Sequence, residues 1–223
     1  MKVKKLFETP LCYVASGIRM SHNNGHLSDS IDEKIGENDV ALVKRVGAKL
    51  KHESVLEFST FIFEINGISR ALLQELARHR LASLTVKSTR YTLNKELKSD
   101  QDLFTVEGIP TKFAQNIAEK ACVYPKDLTE EQRICQVISN AFALASIGMA
   151  LREGVSNDKV KYMLPESYKT SLQFSINLRS FINMYNLRRA KSALPEFQEL
   201  VKKMFETLSP EVQEVINTYN EKD

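Results

Sequence analysis

The sequence predicts an α+β protein, a single domain over residues 1–223 with a small, mostly antiparallel sheet flanked by helices. Three observations carry this. Two segments, Phe58 to Ile65 and Tyr168 to Ile176, alternate in the strand period and favour aromatic and β-branched residues. Each is followed directly by a stretch with apolar residues at three- and four-residue spacing, the pattern of a core-facing helix. No repeat, low-complexity tract or obvious linker interrupts the chain, and 223 residues can bury one sizeable core.

Composition narrows the class. Hydrophobic residues at 43% and charged residues at 26% describe an ordinary soluble globular protein. A formal charge of +3 is too mild for a wholesale nucleic-acid surface, so basic residues matter by where they cluster. No apolar run suggests a membrane span, and no signal-peptide core follows Met1 to Lys5. Cys12, Cys122 and Cys135 are odd in number and widely spaced. They suggest buried thiols in a reduced, cytoplasmic protein, with neither a disulfide framework nor a zinc site.

In chain order, Phe7 to Ser16 fits a strand or a helix start. Arg19 to Asp32 is polar and holds Asn23-Asn24-Gly25, so it reads as a surface loop. Its His22 and His26 have a metal-ligand spacing only if helical, and the turn signal argues against that. Asn38 or Asp39 is placed to cap a helix reaching about Leu50. Asn66-Gly67 should end the first strand, and Ile68 to Arg80 should be a helix. That helix would put Arg70, Gln74 and Arg78 on one face and fan Arg78, His79 and Arg80 around its end. Tyr91 to Leu93 reads as extended, and Ser99 to Thr111 as irregular.

Thr129-Glu130-Glu131-Gln132 is a capping box for a long helix to about Arg152, stopped by Gly154. Ser156 caps a short helix ended by Leu164-Pro165. Asn177 to Arg189 is helical with a buried stripe of Leu178, Phe181, Ile182 and Tyr185. Leu194 to Leu208 is amphipathic, and Ser209-Pro210 opens a last helix to about Tyr219.

The densest anion-binding chemistry lies between Arg78 and Arg90, which holds Arg78, His79, Arg80, Ser83, Lys87, Ser88 and Arg90. A helix C-terminus accounts for two of the first three cations through its dipole, at about 0.3–1 kcal/mol each. It does not account for Lys87, Ser88 and Arg90. Guanidinium forks beside serine hydroxyls make a phosphate or carboxylate site. The glycine-rich cradle of a nucleotide loop is absent, so side chains rather than backbone should hold the anion. Two functions fit the residues alone: a nucleotide-using enzyme, or a non-enzymatic nucleotide- or RNA-binding module built on residues 78–90.

The order Arg78-His79-Arg80-x-x-Ser83, then Ser88-x-Arg90, resembles the signature of the flavin-dependent thymidylate synthases. His52-x-x-x-x-Glu57 before an aromatic strand is similar to an upstream block of that family. Leu164-Pro165-x-x-x-Tyr168-x-Thr170, Asn177-x-Arg179-Ser180, Asn183 and Leu187-Arg188 are similar to a downstream one. The resemblance implies reductive methylation of dUMP to dTMP, with methylenetetrahydrofolate supplying the carbon and NADPH supplying electrons through FAD. It also implies a homotetramer with active sites between subunits, no cysteine nucleophile and no metal.

By position, the resemblance assigns Arg78, His79, Arg80, Ser54, Val86, Asn177, Arg179 and Asn183 to FAD. Lys87, Ser88, Arg90, Lys161 and Arg78 are assigned to dUMP, together with Gln74 or Glu75. Arg188 would face the uracil and stabilise negative charge on its ring nitrogen, and His52 would lie near folate and flavin. The sequence departs from the family pattern at Glu75, Thr85, Val86 and Lys161. There the family usually has glutamine, asparagine, an acidic or polar residue, and arginine.

Overall fold

The computed structural model describes residues 1–21, 27–31 and 34–221. His22 and His26 lie outside the described residues. The elements run β1 (Lys2–Glu8), α1 (Leu11–Met20), α2 (Glu37–Val43), β2 (Thr60–Ser69), α3 (Arg70–Leu76), β3 (Ala82–Val86) and α4 (Thr89–Leu97). They continue through α5 (Lys112–Ala121), α6 (Glu130–Arg152), α7 (Asn157–Val160), β4 (Lys169–Asn177), α8 (Leu178–Arg188), α9 (Pro195–Glu206) and α10 (Pro210–Asn220). The four strands form one antiparallel sheet in the order β1-β2-β4-β3.

Packing divides the chain into two compact units. The first comprises residues 1–65, 77–85 and 173–223, and the second residues 66–76 and 86–172. In the first unit the alternation read from sequence is real. Phe61, Phe63 and Ile65 of β2 are fully buried, as are Phe174 and Ile176 at the end of β4. Phe181 of α8 meets Phe61 edge-on at 5.7 Å and stacks on Phe63 at 6.2 Å, so α8 lies on the sheet face that these rings form. Tyr185, read as part of the buried stripe, is half-buried, and Met184 takes the core position instead. The Leu178 amide donates to the Ser59 carbonyl at 2.8 Å, which ties the start of α8 to the start of β2.

Several boundaries differ from the sequence reading. Arg19 belongs to α1 rather than to a loop, and it is buried with Asp39 as its ion-pair partner. Asp39 therefore does not cap α2; Gly36 occupies that position, and Asp39 accepts from Ser28 and Ser30. Past Val43 the helix widens into a π-helical turn over Lys44–Lys49. A β-carbon on its Gly47 would lie 2.6 Å from Leu56 Cδ2, so a larger residue there requires the Leu56 side chain to shift. Asn66-Gly67 does not end β2. Gly67 takes a left-handed φ of 76° within the strand, which then runs to Ser69.

The second unit is mainly helical. Leu93 and Leu97 of α4, Ala118 of α5, Ala141, Leu144 and Ile147 of α6, and Val160 of α7 are buried together. Residues 91–93 are thus helical, not extended, and α5 was missed altogether because its buried face is made of small residues, Ala114 and Ala118. The capping box is complete: Thr129 Oγ1 accepts from the Gln132 amide and Gln132 Oε1 from the Thr129 amide. By length and composition α6 is apolar enough to cross a membrane, with a mean hydropathy of 1.7 over 18 residues, contrary to the sequence reading. Its buried residues serve the helical core of this unit.

Candidate active site

After α3 ends at Leu76, the chain enters the first unit at Ala77 and turns through Ala77 and Arg78 before β3. Arg78, His79 and Arg80 consequently do not fan around a helix end. They lie on a turn whose exit, Leu81, has a left-handed φ of 60°. Arg78 and Arg80 are exposed and His79 is half-buried. His79 Nε2 accepts a hydrogen bond from Arg188 Nε at 2.8 Å. That nitrogen must then be unprotonated, so the imidazole is neutral with its proton on Nδ1.

Phe197 of α9 underlies both groups. Its ring meets His79 edge-on at 5.5 Å, and the Arg188 guanidinium sits 4.7 Å from the ring centroid. Arg188, at the C-terminal end of α8, is therefore oriented by a cation–π contact and a hydrogen bond.

Asn177 caps α8, its Oδ1 accepting from the Ser180 amide at 2.8 Å. Arg179, the second residue of the helix, is exposed and held by two carboxylates. Its Nη1 donates to Glu57 at 2.6 Å and its Nε to Glu53 at 3.1 Å. The Glu57 hydrogen bond and both carboxylate charges raise its guanidinium pKa further. Glu53 also accepts from the Tyr219 hydroxyl at the end of α10. Burial and then the Glu53 contact push that phenol up to about 12. Ser54, Asn183 and His52 are exposed, and Glu57 of the same segment as His52 is the partner of Arg179.

The second unit holds the remaining sequence candidates, and carboxylates hold most of their polar groups. Arg90 grips Asp158 with both ends of its fork, at 2.6 and 3.2 Å, which keeps its pKa raised. Lys87 pairs with Glu96, whose other oxygen accepts from Tyr168. Burial and this contact raise the Tyr168 phenol pKa strongly. Gln74 donates to both oxygens of Glu166, at 2.6 and 2.8 Å. Ser88 stands at the start of α4 without a capping bond from its side chain. Lys161 lies 5.6 Å over the Tyr162 ring, Glu75 and Val86 are half-buried, and Thr85 is exposed.

The structure thus presents His79 and Arg188 as one oriented pair, and Lys87 and Arg90 as cations oriented by acids. Sequence reasoning missed Phe197, Glu53, Glu96, Asp158, Glu166 and Tyr219. Their only signal is spatial: Arg179 and Glu53 are 126 residues apart, Arg188 and His79 are 109 apart.

Comparison with known proteins identifies the family. The family described as thymidylate synthase complementing protein matches residues 6–212. The chain is 43% identical over 211 residues to the flavin-dependent thymidylate synthase of Wolinella succinogenes, covering 95% of each chain. It is 40% identical to that of Campylobacter jejuni strain RM1221, covering 95% of this chain and 93% of the relative. Its fold matches the crystal structure of thymidylate synthase X from Helicobacter pylori with FAD and dUMP, at a TM-score of 0.82 and 34% identity. That match spans 99% of this chain and 100% of the other. The chain belongs to the flavin-dependent thymidylate synthase family, enzymes that form dTMP from dUMP. The reading of residues 78–90 as a non-enzymatic nucleotide- or RNA-binding module is set aside.

Proposed function

We propose that residues 1–223 act as one catalytic domain that methylates dUMP with methylenetetrahydrofolate as carbon donor, FAD as cofactor and NADPH as reductant. The observation that carries the site assignment is Arg188, fixed on Phe197 and hydrogen-bonded to a neutral His79. A guanidinium that cannot lose its proton is suited to hold negative charge on a uracil ring nitrogen, and its fixed position avoids reorganisation during reaction. Neutral His79 adds no competing positive charge and steers the guanidinium face.

The residues present fit a flavin. Exposed Arg78, Arg80 and Arg179 offer cations for a pyrophosphate, and exposed Ser54 and Asn183 offer neutral hydrogen-bonding groups. Bound there, FAD would supply the electron transfer that no protein side chain supplies. Lys87, Ser88 and Arg90 would take the nucleotide phosphate, with Lys161 and Gln74 or Glu75 toward the nucleoside. Glu96 and Asp158 keep the two cations extended until a dianion replaces them.

The chemistry of the thiols is consistent with a flavin route. Cys122 is buried and its thiol is pushed up by that burial, which makes it a poor nucleophile at neutral pH. The three cysteines are free, as suits a reducing, cytoplasmic setting. Self-association into a homotetramer is supported by an apolar row along α6, where Ile134, Ile138, Phe142 and Met149 are exposed. Reconstitution tests the cofactor reading: purified protein mixed with FAD should retain flavin absorbance through gel filtration and release it on denaturation. Failure to retain FAD would contradict it.

A further inference from the structure

The last helix, α10, is docked by more than its buried residues Val212, Val215 and Ile216. It packs on the π-helical turn Lys44–Lys49, and Lys44 pairs with its Glu214. Lys51, just past that turn, has a β-carbon yet takes a left-handed φ of 57°, a conformation that persists only when its surroundings hold it. Helix α10 holds it. The Lys51 ammonium lies 3.4 Å over the Tyr219 ring and donates to the Tyr219 carbonyl. The ring and carbonyl of Tyr219 are thus both engaged, and its hydroxyl is left to donate elsewhere.

That hydroxyl leads to Arg179. Tyr219 donates to Oε1 of Glu53, and Oε2 of the same carboxylate accepts from Arg179 Nε at 3.1 Å. Glu57 accepts from Arg179 Nη1 at 2.6 Å. The third guanidinium nitrogen, Nη2, has no partner among the described residues and keeps both of its N–H donors. Arg179 and Glu57 are exposed, and ion pairs between exposed long side chains hold their geometry weakly. Tyr219 is the member of this chain of contacts that stands on a packed helix. Burial and the Glu53 contact push its phenol up to about 12, so the hydroxyl keeps its proton at neutral pH.

We propose that Tyr219 is a positioning residue for the flavin: acting through Glu53, it fixes the Arg179 guanidinium with Nη2 left to donate to FAD. This rests on the reading of Arg179 as a flavin contact given above. An exposed arginine loses side-chain freedom when it takes hold of a ligand, and that loss weakens binding. A carboxylate held by Tyr219 and already seated on Nε removes part of the loss before the cofactor arrives. Tyr219 and Glu53 are 166 residues apart, so no local spacing marks the pair.

The test is a titration of flavin-stripped protein with FAD, followed by flavin fluorescence, for Tyr219→Phe, Arg179→Ala and the double variant. Tyr219→Phe keeps the ring under Lys51 and removes only the hydroxyl. Its Kd for FAD should rise about five- to tenfold, the scale of one hydrogen bond to a charged group. In the Arg179→Ala background the same substitution should change Kd by less than about twofold, because the group it acts through is gone. Glu53→Gln, which keeps the side-chain shape, should weaken FAD as well, and thermal melts of the flavin-free variants separate folding defects from weakened binding. An unchanged Kd in Tyr219→Phe overturns the proposal. So does an equal loss in both backgrounds, which would make Tyr219 a packing residue of α10, and so does wild-type affinity in Arg179→Ala. If the wild type itself retains no FAD, the flavin reading fails and the proposal with it.

Discussion

Arg188 reaches its working position through two contacts made at different depths. Its Nε donates to His79 at 2.8 Å, while its charged face rests on Phe197, a fully buried ring. Removing the guanidinium should remove charge stabilisation without disturbing the flavin contacts. Arg188→Ala is therefore expected to lower kcat by about 10²-fold with FAD still bound, measured by single-turnover dTMP formation and flavin absorbance. A wild-type rate would take Arg188 out of the chemistry.

Phe197→Leu addresses positioning. It should lower kcat several-fold with KM for dUMP little changed, whereas Phe61→Leu, an equally buried ring substitution, should cost stability without that kcat loss. Equal kcat in both variants would reduce Phe197 to packing. The cations of this site were legible in the sequence because they form a dense local motif. Phe197, Glu53 and Asp158 were not, because what marks them is a partner far along the chain.

At the scale of elements, what was legible depended on how much side-chain pattern each element displays. The burial alternation of β4, Thr170, Leu172, Phe174 and Ile176, matches its sequence reading residue for residue. The α6 capping box and the serine–proline start of α10 are equally plain in the sequence, and both are present. Helix α3 stops at Leu76, short of Arg80, because Arg78, His79 and Arg80 carry no apolar residue that would keep a third turn on the core. A π-helical turn has no period that reading at 100° per residue detects, so Lys44–Lys49 passed as ordinary helix.

Helix α6 also bears the exposed row Ile134, Ile138, Phe142 and Met149. If the proposed tetramer assembles through this row, placing a charge there, as in Phe142→Glu, should convert it into smaller species in light scattering while leaving the helix content unchanged. An unaltered tetramer mass would exclude this face as an assembly surface.

At the scale of the whole molecule, Asp39 joins α1, α2 and the Ser28–Ser30 segment through one buried carboxylate. Burial alone would raise its pKa, but hydrogen bonds from Ser30, Arg19 and Ser28 outweigh it and leave the value below that of an ordinary aspartate. A depressed folded-state pKa contributes stability that is present above the unfolded value, near pH 4, and is lost as pH falls through the folded one. Asp39→Asn should accordingly melt earlier at neutral pH by the equivalent of roughly 3–5 kcal/mol, the cost of leaving a buried arginine unpaired. The gap between variant and wild type should narrow below about pH 4. A gap that stays constant down to pH 2 would mean that Asp39 acts through packing rather than charge.

The family match runs through both compact units, from residue 6 to residue 212, so the two units belong to one catalytic chain. The most direct measurement of that claim is dTMP formation by purified protein supplied with FAD, dUMP, methylenetetrahydrofolate and NADPH. We expect dTMP to accumulate over many turnovers, to vanish when FAD is stripped or any one of the other components is left out, and to survive replacement of all three cysteines. Sustained dTMP formation without FAD, or its loss on removing the cysteines alone in a folded protein, would contradict the flavin-dependent account.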